Sequence, residues 1–183
     1  MTVVQPTDPL LKSLALALID HPRASLQELA KAVGVSKATL YRYCPTREQL
    51  IDKLHQESIA QFGHSADMAE LQHAPFREAF RALIDSHLHH RELFLFLIYN
   101  WQSDFITNDD PESPWLVCQR KIDQFFLRGQ KEGVLRIDIS AVAMSEMFMG
   151  MLLTLVDAER AGRIARADIA GSIERLFFDG ANL

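Results

Sequence analysis

SLQELAKAVGVSKATLYRYCPTREQL, residues 25–50, holds three helix starts in quick succession. Ser25 followed three residues later by Glu28 is a capping box, which satisfies two backbone N–H groups that a helix start leaves unpaired. Leu26, Leu29, Ala30 and Val33 then recur at helical spacing and mark a buried face. Gly34 follows the last apolar turn, where a left-handed residue ends a helix at least cost. Ser36 caps a second short helix through Tyr43. Pro45 cannot continue that helix, and Thr46 with Gln49 forms another capping box. A helix, a tight turn and a second helix make the geometry that lays the second helix in a DNA major groove.

The rest of the 183-residue chain reads as helices joined by short gaps. Asp8-Pro9 opens a first helix with Leu10, Leu11, Leu14, Leu18 and Ile19, ending near Asp20. A fourth helix runs from about Arg47 to Gln61, and GHSAD, residues 63–67, is the expected joint between two domains. Beyond it lie a stripe of Phe76, Phe80, Leu83, Ile84, His87 and Leu88, an aromatic stretch from Glu92 to Phe105, and helices over 115–131, about 140–160 and about 164–178. No strand alternation or repeat stands out. The expected architecture is all-α, about nine helices, with a three-helix DNA-binding domain at 1–58 and a helical bundle at 59–183.

Composition narrows the function classes. Hydrophobic residues make up 48% and charged residues 23% of the chain, as in ordinary globular proteins. No unbroken apolar run approaches the ~18 residues of a membrane span, so no membrane partner is expected. The N-terminus lacks a secretory pattern, and two cysteines make no disulfide framework. The expected setting is therefore a cytoplasm, with Cys44 and Cys118 reduced. The net charge of −5 is unevenly spread. Residues 1–58 hold seven basic and six acidic side chains, which leaves −6 for the remainder. Within 36–47 stand Lys37, Arg42 and Arg47 with no carboxylate, the local patch a phosphate backbone would feel.

The run from Leu26 to Leu50 resembles the signature of the TetR family of transcriptional regulators. GQKEGVLRIDIS, residues 129–140, is a weaker echo of that family's hinge between its seventh and eighth helices. Two departures stand out. Cys44 occupies a position where the family usually has Phe, losing packing volume, and HPRAS at 21–25 replaces a Gly-containing turn. The resemblance implies a ligand-responsive regulator, a repressor that binds a palindromic double-stranded operator as a homodimer and is released by a small apolar or aromatic effector.

The residues assign roles within that frame. Lys37 and Ala38, at the start of the recognition helix, approach base edges, as in other helix-turn-helix proteins. Thr39 and Tyr41 offer hydroxyls to phosphate, and Arg42 forks onto a guanine or a phosphate. Leu40 points inward. By resemblance, Tyr43 faces the DNA backbone and Arg47 takes the place of a phosphate-binding Lys. Ser25 and Thr46-Arg47 begin helices, whose N–H groups suit phosphate. The candidate effector pocket is lined by His87, Phe94, Tyr99, Trp101, Trp115, Cys118, Phe125 and Phe148, with Phe126 and Met144 as further lining.

The resemblance puts dimerisation on the last two helices, with Met147, Met151 and Leu155 on one, and Ile169, Ile173, Leu176 and Phe177 on the other. Helix four is the lever from effector to DNA. No metal or cofactor is expected, since His87, His89 and His90 do not place two ligands one turn apart on one face. Two other readings stand beside this one: a regulator without effector that acts through a protein partner, and an enzyme. Against the enzyme, the chain has no Gly-rich phosphate loop, nucleophile elbow, HExxH or CxxC.

Overall fold

A computed structural model describes residues 9–68, 70–100 and 113–181. Among them run nine α-helices: α1 (Pro9–Asp20), α2 (Leu26–Ala32), α3 (Lys37–Tyr43), α4 (Arg47–Met68), α5 (Phe76–His89), α6 (Arg91–Tyr99), α7 (Pro114–Lys131), α8 (Ala141–Arg160) and α9 (Arg166–Ala181). Asp8, the expected cap of α1, lies outside the described residues, as do Trp101 and Phe105.

The chain forms two compact units that do not follow a single cut in the sequence. One takes the described residues up to Ile59 together with α6 from Glu92; the other takes Ala60–Arg91 and the helices from α7 onward. In the first unit Leu11, Leu14, Leu18, Leu26, Leu29, Leu40, Leu50 and Leu54 form the core. Leu93 and Phe96 of α6 complete it, and the Phe96 ring meets His55 edge-on at 5.1 Å. The expected division at 58/59 places these residues in the second domain, whereas they pack with the first unit. Leu40 is fully buried beneath α3, as expected. Cys44 is 3% exposed within this core, and burial raises its thiol pKa.

The second unit is built on phenylalanine. Phe76 of α5 stacks on Phe125 of α7 with centroids 4.3 Å apart and planes 2° apart. Phe80, Phe126, Phe148, Phe177 and Phe178 continue the cluster across α7, α8 and α9. Gly129 permits the stack: a Cβ there would lie 2.5 Å from Phe76 Cε2. The connection after α7 turns at Gly133, whose φ of 71° is left-handed. The Gln130 amide then donates to the carbonyls of Arg136 and Ile139 and pins the loop into α8.

One expectation fails for a local reason. GHSAD is not a joint, because α4 continues through it to Met68. Ser65 bonds back to Gln61 O at 2.9 Å, and Phe62, Ser65 and Ala66 are buried, so a weak apolar signal hid a packed turn. α8 is long and apolar enough, by length and composition, to cross a membrane, although no unbroken run suggested it. Its polar residues are few and scattered. One face, Met144, Ser145, Phe148, Leu152 and Val156, is buried in the bundle.

Candidate nucleic-acid interface

Local capping fixes α2 and α3. The Ser25 hydroxyl accepts from Glu28 N, while Ser25 N and Oγ both donate to Glu28 Oε2 at 2.8 Å. These bonds hold the Glu28 carboxyl below its usual range, the Ser25 backbone bond contributing most. α2 ends in a Schellman motif: Val35 N donates to Ala30 O and Gly34 N to Lys31 O, with Gly34 at φ 73°. A side chain at Gly34 would meet no atom; the demand is on the backbone. Ser36 Oγ then accepts from Thr39 N at 3.0 Å and opens α3.

With Leu40 turned into the core, the opposite face of α3 is exposed. Lys37, Ala38, Tyr41 and Arg42 occupy it at positions i, i+1, i+4 and i+5. Lys37 Nζ lies 5.3 Å from the Tyr41 ring centroid and 3.3 Å from Gln27 Oε1. Among the described residues neither Lys37 nor Arg42 has a carboxylate partner. Thr39 is half-buried, and its hydroxyl is hydrogen-bonded to Ser36 Oγ at 2.7 Å, so it belongs to the cap as much as to the outer face. Tyr43 is half-buried under Lys53, whose ammonium sits 3.8 Å from the ring centroid. Lys53 escaped the sequence reading because only the packing of α3 on α4 brings it to Tyr43. Thr46 is exposed and its Oγ1 accepts from Gln49 N at 3.2 Å. Arg47 is placed differently from a free phosphate ligand: its Nη2 donates to Pro22 O at 2.7 Å and its Nε to Ala24 O at 3.3 Å.

The expected pocket residues are divided between the two units, and each group is described within its own unit. Phe94 and Tyr99 belong to the first unit, Phe94 buried and Tyr99 half exposed. Trp101 lies outside the described residues. Phe125 and Phe148 are fully buried, each packed against the ring of Phe126. His87, Trp115 and Cys118 remain, with Phe62 between the first two: its ring centroid is 4.6 Å from His87 and 5.4 Å from Trp115. His87 Nδ1 is 2.7 Å from Leu83 O, and burial brings its pKa down to about 4. Burial likewise drives Cys118 up to about 12, which leaves an inert thiol. An open depression of about 750 Å³ lies elsewhere, at the α1–α2 turn between Asp20, His21, Arg23, Glu28 and Lys31. Among the described residues no group of His, Cys, Asp or Glu side chains is arranged to hold a metal ion.

The His87 environment carries a pH signature. Unfolded, the ring takes up a proton near pH 6.5; folded, it resists until about pH 4. The unfolded state therefore binds more protons in that window, and stability falls as pH drops through it. Thermal unfolding at pH 7.5 and 5.0 should show a loss that shrinks in His87→Leu. An equal loss in both proteins would assign the acid sensitivity to other groups.

The expected dimer residues divide. Met147 is 53% and Leu176 62% exposed, and Met151 and Leu155 are partly exposed. Ile169, Ile173 and Phe177 are buried against their own bundle, so they are core of the single chain and not surface. The error was one of phase: α9 turns that stripe toward Phe80 and Phe126.

A capped helix-turn-helix with a cationic outer face, with nine helices among the described residues, defines an all-α DNA-binding regulator. Residues 22–54 match the profile of "Bacterial regulatory proteins, tetR family". Over 182 residues the chain is 42% identical to the HTH-type transcriptional regulator NfxB of Pseudomonas aeruginosa, covering 100% of this chain and 97% of that protein. The chain belongs to the TetR family. It is a DNA-binding transcriptional regulator and not an enzyme. It is also 31% identical, over 49% of its length and 48% of the relative's, to the HTH-type transcriptional repressor LfrR of Mycolicibacterium smegmatis. The fold matches the LfrR structure in complex with proflavine (TM-score 0.70, 22% identity, 95% and 94% coverage). It also matches the MbdR regulator from Azoarcus (TM-score 0.71, 16% identity, 95% and 97% coverage).

Proposed function

We propose that the chain is a homodimeric repressor that grips a palindromic operator and is released by a small apolar or aromatic effector. The observation that carries the DNA half is the exposed α3 face, where Lys37 and Arg42 have no carboxylate partner among the described residues and stand beside Ala38 and Tyr41. Lys37 and Ala38 read base edges; Tyr41, Arg42 and Tyr43 hold phosphates, with Ser25, Thr39 and Thr46 at the flanking helix starts. As a DNA-binding regulator of this family it works in the cytoplasm, at the nucleoid.

The effector half rests on His87, Trp115 and Cys118 around Phe62 in the second unit. It is supported by the LfrR relative, whose structure holds proflavine, a planar aromatic compound. α4 supplies the connection, since one continuous helix contributes to both units. The dimer rests on the exposed apolar stripe of α8. Only 28% of that helix's most apolar window is buried within one chain.

Selection of bound duplexes from random DNA, by the intact chain, tests the DNA half. The selected sites should be palindromic. Lys37→Ala should relax preference at one position per half-site, at a cost of about 1–3 kcal/mol. An unchanged preference profile would remove Lys37 from base reading. Adding planar aromatic compounds to the bound complex tests the effector half, with release as the expected result.

A further inference from the structure

We propose that Arg47 is a clasp that closes the DNA-reading segment 24–47 into a ring, and that it acts on DNA by positioning this segment, not by holding a phosphate. The proposal rests on the first unit binding DNA. Its basis is the pair of bonds from one guanidinium to two carbonyls twenty-odd residues back, Nη2 to Pro22 O and Nε to Ala24 O. The side chain is half-buried, unlike Lys37 and Arg42, which stand exposed.

The turn it holds is anchored at its ends, where His21 N donates to Ala17 O at 2.9 Å and Ala24 packs on the core, but its Pro22 and Ala24 carbonyls are held by Arg47. Within 21–24 one backbone bond closes the turn, Ala24 N to His21 O at 3.0 Å. Pro22 has no N–H to give. Its carbonyl and that of Ala24 would otherwise turn to water. Ala24 immediately precedes Ser25, the cap of α2, and Arg47 is the first residue of α4. The guanidinium therefore joins the two ends of the stretch that contains α2, the Gly34 turn, α3 and Pro45. A rigid fork with several N–H donors can reach two carbonyls at once; a lysine ammonium is a single point on a flexible stem. Closing the ring holds the exposed face of α3 at one fixed angle to α4, so the clasp sets affinity without touching DNA.

The two roles predict opposite behaviour for two variants of the intact chain, measured on a random-sequence 30-base-pair duplex across a salt series. A phosphate ligand works through charge. Arg47→Lys would then retain affinity, while Arg47→Gln and Arg47→Ala would lower the salt slope by about 0.9. A clasp works through donors to carbonyls. Arg47→Ala should then weaken binding about ten-fold with the salt slope unchanged. Arg47→Gln, neutral but able to donate, should recover part of that loss and bind at least as well as Arg47→Lys. If Arg47→Ala fails to fold, the order of the Gln and Lys variants decides alone. Overturning results are a reduced slope in Arg47→Gln, rescue by Lys in preference to Gln, or affinity unchanged in all variants. Absence of binding by the unmodified chain would instead reject the DNA-binding reading of the unit.

Discussion

Phe80→Ala should cost the second unit about 3–5 kcal/mol of stability. That is a large part of the ~5–15 kcal/mol that holds a typical domain together. Phe80 is fully buried, and its ring centroid lies 5.1 Å from Phe177, 5.2 Å from Phe178, 5.3 Å from Phe148 and 6.2 Å from Phe126. One α5 side chain thus touches α7, α8 and α9 together. Removing it leaves a void that several rings border and none can fill, since the Phe76 ring is already stacked on Phe125 and wedged over Gly129. Urea unfolding followed by helical circular dichroism gives the measurement. The result also decides what the phenylalanines are for. Phe125 and Phe148 were candidates for an effector pocket. If their region held a pocket with room to collapse, Phe80→Ala would cost well under ~2 kcal/mol. The full loss would mark a solid core and confine the effector to the neighbourhood of His87, Trp115 and Cys118.

What the sequence disclosed is mostly what short-range chemistry controls. Ser25 with Glu28, Ser36, and Gly34 after Val33 each act within a few residues, and the bounds of α2 and α3 follow from them. Leu40 points inward, as expected, and the residues at 37, 38, 41 and 42 take the outer face, a division that helical spacing produces directly. Contacts set by tertiary packing were not legible. Nothing near Leu93 and Phe96 says that α6 completes the first core, because their apolar pattern suits either unit. Lys53 over Tyr43 and Arg47 on Pro22 and Ala24 depend on how α4 docks. Ile169, Ile173 and Phe177 show the same limit from the other side. An apolar stripe declares that it is buried, and leaves open whether a chain buries it against itself or against a copy.

That ambiguity gives the second large effect. Met147→Glu should convert the protein to monomers and weaken operator binding on the order of a hundred-fold or more, since each recognition helix then binds without its tethered partner. α8 carries two apolar faces. Met144, Phe148, Leu152 and Val156 face its own bundle, whereas Met147, Gly150, Met151, Thr154 and Leu155 recur outward at i, i+3, i+4, i+7 and i+8. A helix apolar on both sides needs cover on both, and among the described residues the second side is only partly covered, with Met147 53% exposed and Met151 and Leu155 half-buried. Gly150 would let a partner backbone approach, as a Cβ there meets nothing within 4 Å. Sedimentation should report half the mass, while the variant chain keeps its helical content, because Met147 is 53% exposed and replacing it removes little from the core. Ile169→Glu supplies the contrast. That position is fully buried, so its carboxylate should unfold the bundle instead of separating two intact ones. A Met147→Glu protein that sediments as a dimer would put the symmetry axis on another surface, and the outward stripe of α8 would then need a different partner.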